Sequence, residues 1–157
     1  MALHNSTGSI SISIAASIAT IEFGHPASNS FPSLLLKELT STIETVGQNP
    51  EVAVVVLKSQ GTATFCAGAS FDELQAITNE TEGKTFFSGF AHLINAMRKC
   101  PKIIVGRVQG KAVGGGVGIA AACDYVLATQ EASIKLSELS IGIGPFVIEP
   151  AVSRKIG

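Results

Sequence analysis

Serine and isoleucine alternate over residues 9–15, and 18–23 continues as an apolar run, so the chain opens on two strands joined by a tight turn. Leu34, Leu35, Leu39, Ile43 and Val46 recur at helical spacing within 32–46. The β-branched run 52–57 reads as a strand buried on both faces of a parallel sheet. Residues 79–84 are polar, include Gly83 and read as a loop. Beyond them Phe86, Phe87, Phe90, Leu93, Ile94 and Met97 form a helical apolar stripe, assigned to the core, which stops near Lys99-Cys100-Pro101. Residues 103–108 and 125–128 supply further strands, and 133–136 a short one leading to Glu138. Strands alternating with helices predict an α/β fold.

Two places break this rhythm. Gly114-Gly115-Gly116-Val117-Gly118 follows an apolar strand and runs directly into Ile119-Ala120-Ala121-Ala122-Cys123-Asp124. Phe65-Cys66-Ala67-Gly68-Ala69-Ser70-Phe71 stands between the strand 52–57 and a second helix beginning near Phe71. Residues without a Cβ open access to the first N–H groups of a helix, which lack partners and carry the positive end of its dipole. Two such junctions in one small domain suggest a bipartite oxyanion hole. Ser70 either caps the helix at Phe71 or contacts a ligand.

Composition narrows the function classes. A length of 157 residues predicts one domain, 1–157, with a real core. The net charge of −1 and the scattered basic residues give no electrostatic footprint for nucleic acid. No apolar run has the length of a membrane span, and residues 1–21 hold no Lys or Arg, so the expectation is a cytoplasmic protein without membrane attachment or leader. Cys66, Cys100 and Cys123 lack the paired spacing of zinc sites, and no metal is expected. Cys66 lies beside the proposed hole, but His4, His25 and His92 reach it only through the fold, so it reads as a packed small hydrophobe.

In order, Phe65-Cys66-Ala67-Gly68-Ala69, Gly110-Lys111-Ala112-Val113-Gly114-Gly115-Gly116, Ala122-Cys123-Asp124 and Ser137-Glu138-Leu139-Ser140-Ile141-Gly142 resemble the crotonase (enoyl-CoA hydratase/isomerase) superfamily. The opening resembles it as well, with Ile18-Ala19-Thr20-Ile21-Glu22-Phe23 and then His25-Pro26-Ala27-Ser28-Asn29-Ser30. The resemblance implies a spiral of repeated ββα turns, an acyl-CoA substrate with no further cofactor, and homotrimers or hexamers in the full-length protein. It also implies a helical segment beyond Gly157 that builds the trimer and covers the acyl-CoA site, so 1–157 is expected to be the core domain without that segment.

By position in the motifs, the resemblance assigns the oxyanion donors to the N–H groups of Ala69 and Gly115, with Ala67, Gly68, Ser70, Phe71, Gly114 and Gly118 around the substrate and Ala27 on the CoA-side loop. A large side chain at Gly115 would block the approach of the thioester. Hydratases of this family hold water between two glutamates. Gly118 stands at the first of these positions and Glu138 at the second. One carboxylate still moves a proton between the α and γ carbons, so double-bond isomerisation is expected over hydration. Phe146 stands where dehalogenase-like members carry a nucleophilic aspartate. Glu149, the other acid nearby, reads as a solvated residue beside Pro150. The competing reading is a catalytically silent acyl-CoA-binding or assembly protein that keeps the fold and the hole.

Overall fold

A computed structural model describes residues 8–157; His4 lies outside them. The Ser/Ile alternation forms β1 (Ser9–Ala15), which pairs antiparallel with β2 (Ile18–Gly24) from Ser9 opposite Gly24 to Ala15 opposite Ile18. The connection is two residues, Ala16 and Ser17, at φ 49° and 60°. Two successive positive φ values give a turn whose twist matches that of the flanking strands. There follow α1 (Ser33–Gln48), β3 (Val54–Ser59), β4 (Thr64–Cys66), α2 (Phe71–Gln75), α3 (Glu80–Lys99), β5 (Ile103–Val108), β6 (Lys111–Val113), α4 (Gly115–Ala122), β7 (Tyr125–Ala128), β8 (Ser133–Lys135), a 3-10 turn Ser137–Ile141 and α5 (Glu149–Ile156).

β3, β5 and β7 extend β2 in parallel to give one sheet of order β1-β2-β3-β5-β7, while β4, β6 and β8 form a second, parallel sheet. Beyond the opening hairpin, β3, β5 and β7 of the large sheet are each followed by a strand of the small sheet and then by helix, in the successions β3-β4-α2, β5-β6-α4 and β7-β8 with its 3-10 turn. This is the expected ββα spiral. Its consequence is that the helix starts after β4 and β6 fall side by side, because those strands are neighbours in the small sheet. Asp124 closes the second turn of the spiral, with its N–H donating to the Ile104 carbonyl at 2.9 Å and its Oδ2 accepting from the Ile104 N–H at 2.8 Å.

Two boundaries and one buried face differ from the sequence reading. The polar stretch 79–84 is helix: the Asn79 side chain accepts from the Glu82 N–H at 3.0 Å and caps α3, and Glu82 in turn accepts from the Thr78 N–H and hydroxyl. These polar residues are a capping arrangement, which a composition argument reads as a loop. Leu34 is 76% exposed, because the buried stripe of α1 runs through Leu35, Leu36, Leu39, Ile43 and Val46. The third strand begins at Val54, since the Val52 N–H turns back to the Asn49 carbonyl.

Phe23, Phe31 and Phe65 pack as a fully buried trio, with ring centroids 4.9 Å and 5.5 Å apart for the pairs that share Phe23. From β7 onward burial thins, and Leu127, Ile134, Leu139, Phe146 and Ile156 are exposed. Among the described residues no helix is long and apolar enough to cross a membrane.

Candidate active site

The two junctions meet. A Cβ on Gly68 would lie 3.1 Å from the Val113 carbonyl oxygen and 3.3 Å from the Gly115 nitrogen, and Gly68 itself sits at φ +90°, a conformation that glycine alone adopts freely. Beside Gly68, Phe31 pairs with Ala69 as a parallel bridge: the Phe31 N–H donates to the Gly68 carbonyl at 2.8 Å, and the Ser70 N–H donates to the Phe31 carbonyl at 3.0 Å. In such a bridge the peptide groups on either side of Ala69 face the partner, so the N–H of Ala69 turns the other way. At the second junction Gly115 is the first residue of α4, where N–H groups have no intrahelical acceptor. Neither N–H is donated to another backbone or side-chain group among the described residues.

Ala69 and Gly115 line one cavity of about 190 Å³, together with Ala67, Gly68, Phe71, Gly114 and Glu138. Glu138 reaches it because the Gly114 N–H donates to the Lys135 carbonyl at 2.9 Å, tying the end of β8 to the end of β6 immediately before the 3-10 turn. Gly114 lies at φ 52°, ψ −121°, and a Cβ there would come within 3.0 Å of Ser137 Oγ and 3.3 Å of Glu138 Oε1. The second glutamate oxygen, Oε2, is buried without a hydrogen-bond partner. A buried carboxylate oxygen left unpaired costs free energy and calls for a physical reason, of which a catalytic role or a partner supplied by ligand or solvent are two.

The glycine at 115 has a different reason from the one expected. A Cβ on it would stand 2.4 Å from the Phe90 ring, so the ring, and not the substrate, excludes a side chain. Gly118 is buried and does not line the cavity; its missing Cβ would meet Ile148 Cγ2 at 2.5 Å and Ile94 Cδ1 at 3.2 Å. Ile148 does line the cavity, so a branched hydrocarbon fills the direction in which a side chain at 118 would leave α4.

Two other assigned residues also lie outside the lining. Ser70 caps α2, its Oγ accepting from the Glu73 N–H at 3.3 Å. Ala27 is exposed on the turn after β2, where its N–H donates to His25 Nδ1 at 3.2 Å; the neighbouring Ser28 carbonyl accepts from the Ala67 N–H at 3.2 Å and so braces the first junction.

Glu149 is exposed at the start of α5 and accepts from the Ser153 hydroxyl. Phe146 is 81% exposed. Burial pushes the Cys66 thiol up to about 12 against the lowering effect of the Gly68 N–H, which removes it as a nucleophile near neutral pH. Among the described residues no cluster of His, Cys, Asp and Glu is arranged to hold a metal ion.

The sequence reading missed most of the apolar wall. Phe86 and Phe87, stacked edge to face at 5.2 Å, line the cavity with Phe90, Leu74, Ile141, Ile143, Val147 and Ile148. The signal was present in the phenylalanine stripe, whose C-terminal half (Leu93, Ile94, Met97) is core as read while its N-terminal half is cavity wall. Periodicity reports one apolar face and does not distinguish a core from a cavity along it.

The enoyl-CoA hydratase/isomerase family model matches residues 13–157, and the chain belongs to that family. It is 31% identical over 142 residues to the short-chain-enoyl-CoA hydratase of Clostridium acetobutylicum, covering 89% of this chain and 54% of that protein. It is 31% identical over 117 residues to the mitochondrial methylglutaconyl-CoA hydratase of Rattus norvegicus, covering 74% of this chain and 37% of that protein. The crystal structure of an enoyl-CoA hydratase from Shewanella pealeana superimposes with a TM-score of 0.88 at 27% identity, over 98% of this chain and 59% of that one. The chain thus spans about half the length of the relatives it matches.

Proposed function

We propose that this chain carries the acid–base and oxyanion machinery of an acyl-CoA enzyme that shifts a double bond in preference to adding water. The buried, unpartnered Oε2 of Glu138 carries the reading, because it stands in the same cavity as two unused backbone N–H groups. A thioester carbonyl oxygen placed between Ala69 and Gly115 gains both donors as negative charge develops on it, and preorganised donors of this kind are each worth about 10² to 10³ in rate. Glu138 takes a proton from the α carbon of a 3-enoyl thioester, the C–H electron pair moves onto the carbonyl oxygen, and a dienolate spanning the former double bond forms. Return of the proton to the other end of the system leaves the double bond moved and no atom added. Addition of water needs a second group to hold and activate it, and Ile148 presents only methyl groups from that direction.

The test is conversion of trans-3-hexenoyl-CoA to its conjugated isomer, followed by absorbance, alongside hydration of crotonyl-CoA. Glu138→Gln keeps the shape and removes the base, so it should lower isomerisation by about 10² to 10⁴ while leaving CoA-ester binding nearly unchanged. Full turnover by Glu138→Gln would overturn the assignment. Tight binding without turnover by the parent protein would favour the silent acyl-CoA-binding reading. Gly118→Glu alone should fail to add hydration because its side chain meets Ile148, whereas the double substitution with Ile148→Ala opens that space and should raise it. Family membership makes trimers or dimers of trimers the assembly to test, and a stable monomer of the full-length protein in sedimentation at micromolar concentration would overturn that assembly.

A further inference from the structure

The first oxyanion donor is held by residues that do not line the cavity. β4 is an edge strand of the small sheet, and its pairing with β6 shifts register between Thr64 and Cys66, so sheet pairing alone does not hold the course of 66–70. Residues 28–31 run along that open edge instead. The Ala67 N–H donates to the Ser28 carbonyl at 3.2 Å, the Phe31 N–H to the Gly68 carbonyl at 2.8 Å and the Ser70 N–H to the Phe31 carbonyl at 3.0 Å. Ser28 and Asn29 stand at φ 54° and 55°, left-handed positions that asparagine tolerates better than most residues. Asn29 fastens this segment to the rest of the protein. It is 7% exposed, and its Nδ2 donates to the Gln60 and Thr64 carbonyls, each at 2.8 Å, while its Oδ1 accepts from the His25 N–H at 3.1 Å. Gln109 Nε2 adds a further donor to the same Thr64 carbonyl at 3.2 Å. One buried amide thus ties the residue after β2, the β3–β4 connection and the first residue of β4, with both of its N–H bonds used.

From these contacts we infer that Asn29 is a positioning residue for the reaction: it clamps 28–31 to β4, and through that segment it holds the Ala69 N–H where the thioester oxygen develops charge. The inference rests on the acyl-CoA reading above and adds to it a residue outside the cavity. Two substitutions separate the side chain from the backbone. Asn29→Gly adopts the left-handed conformation freely and deletes the side-chain hydrogen bonds to Gln60, Thr64 and His25. Asn29→Asp keeps the shape and replaces the donor nitrogen by a carboxyl oxygen set against two carbonyl oxygens.

The test reads the donors directly. Bound 2,4-hexadienoyl-CoA absorbs at longer wavelength as its conjugated carbonyl is polarised, so its red shift is measured on the parent, Asn29→Gly and Asn29→Asp, together with kcat and KM for isomerisation of trans-3-hexenoyl-CoA, at a temperature where each is folded. The parent should show the shift, and both variants should lose much of it. Their kcat should fall by at least about tenfold, toward the 10² to about 10³ that one lost oxyanion donor costs, with KM changed by less than about threefold. A merely structural role would lower the melting midpoint and leave the red shift of the folded protein unmoved. Parental red shift and kcat in either folded variant would overturn this inference and leave the acyl-CoA reading standing. No binding or no red shift in the parent would overturn both. Asn29→Gly, which keeps the backbone turn unstrained, decides the matter if Asn29→Asp fails to fold.

Discussion

The two strand-to-helix junctions border the same cavity and are held in shape by opposite means. At Cys66–Phe71 hydrogen bonds do the holding: the Ser70 side chain caps α2, the Phe31 backbone fixes Ala69 through a parallel bridge, and the Glu73 carboxylate reaches back to accept from the Ser33 N–H at 3.0 Å. At Val113–Gly118 no side chain caps α4, and the junction is shaped by what is missing, with Phe90, the Cys66 carbonyl and Ile148 each standing where a Cβ would be. A junction built from hydrogen bonds loses them one at a time. A junction built from empty space fails sterically at the first methyl group.

The sharpest way to break this comparison is a single methyl on each side. Gly115→Ala places a Cβ against the Phe90 ring and displaces the start of α4, so kcat/KM on an enoyl thioester should fall by about 10² to 10³, the cost of one lost oxyanion donor. The reciprocal change, Ala69→Gly, removes a methyl and keeps the N–H, and should leave the rate little altered. Equal losses in the two variants would remove the distinction between the junctions.

Next in size is Gly116→Ala, whose Cβ would sit 2.5 Å from the Cys66 carbonyl oxygen, a backbone atom that cannot rotate away. Overpacking of this kind should cost about 1–3 kcal/mol in chemical denaturation. Ser70→Ala probes the other junction more gently. Loss of the cap should cost about 1 kcal/mol, and Ser70→Asp should recover it.

The smallest effect at neutral pH concerns two buried thiols, Cys66 in the first junction and Cys123 at the C-terminal end of α4. Burial raises Cys66 and Cys123 from 9.0 to about 12. Unfolded thiols release their protons near the lower value and folded ones near the higher, so the unfolded state binds fewer protons between them. Stability should therefore be unaffected below pH 9 and fall as pH rises from 9 toward 12, and Cys66→Ala should flatten part of that slope in denaturation midpoints measured across the range.

Particular residues show how far the sequence could be read. The alternation of 9–15 and the β-branched run before Ser59 located strands because each face of a sheet imposes its own pattern on the chain. The glycine run and Phe65–Phe71 marked the junctions because few residue types permit such backbone. Glu138 was found through motif order, since no local pattern distinguishes it from the acids around it. Ser70 was left open between cap and ligand contact, and only the position of the Glu73 N–H decided for the cap. The polar residues 79–84 misled because a capped helix start and a loop use the same residue types.

What the sequence determined by itself is therefore the succession of the larger strands and helices, without the short β4 and β6 or the closing α5, together with the family and the places where backbone lies bare. The tertiary structure decided which of those places share a cavity, that half of an apolar helical stripe is cavity wall, and that Ile148, thirty positions along the chain from Gly118, fills the space beside it. The reason is physical. Local pattern follows from steric and hydrogen-bonding rules that each residue carries with it, whereas adjacency of Ala69, Gly115 and Glu138 arises only when three turns of the spiral stack and parallel pairing of β4, β6 and β8 brings their ends together.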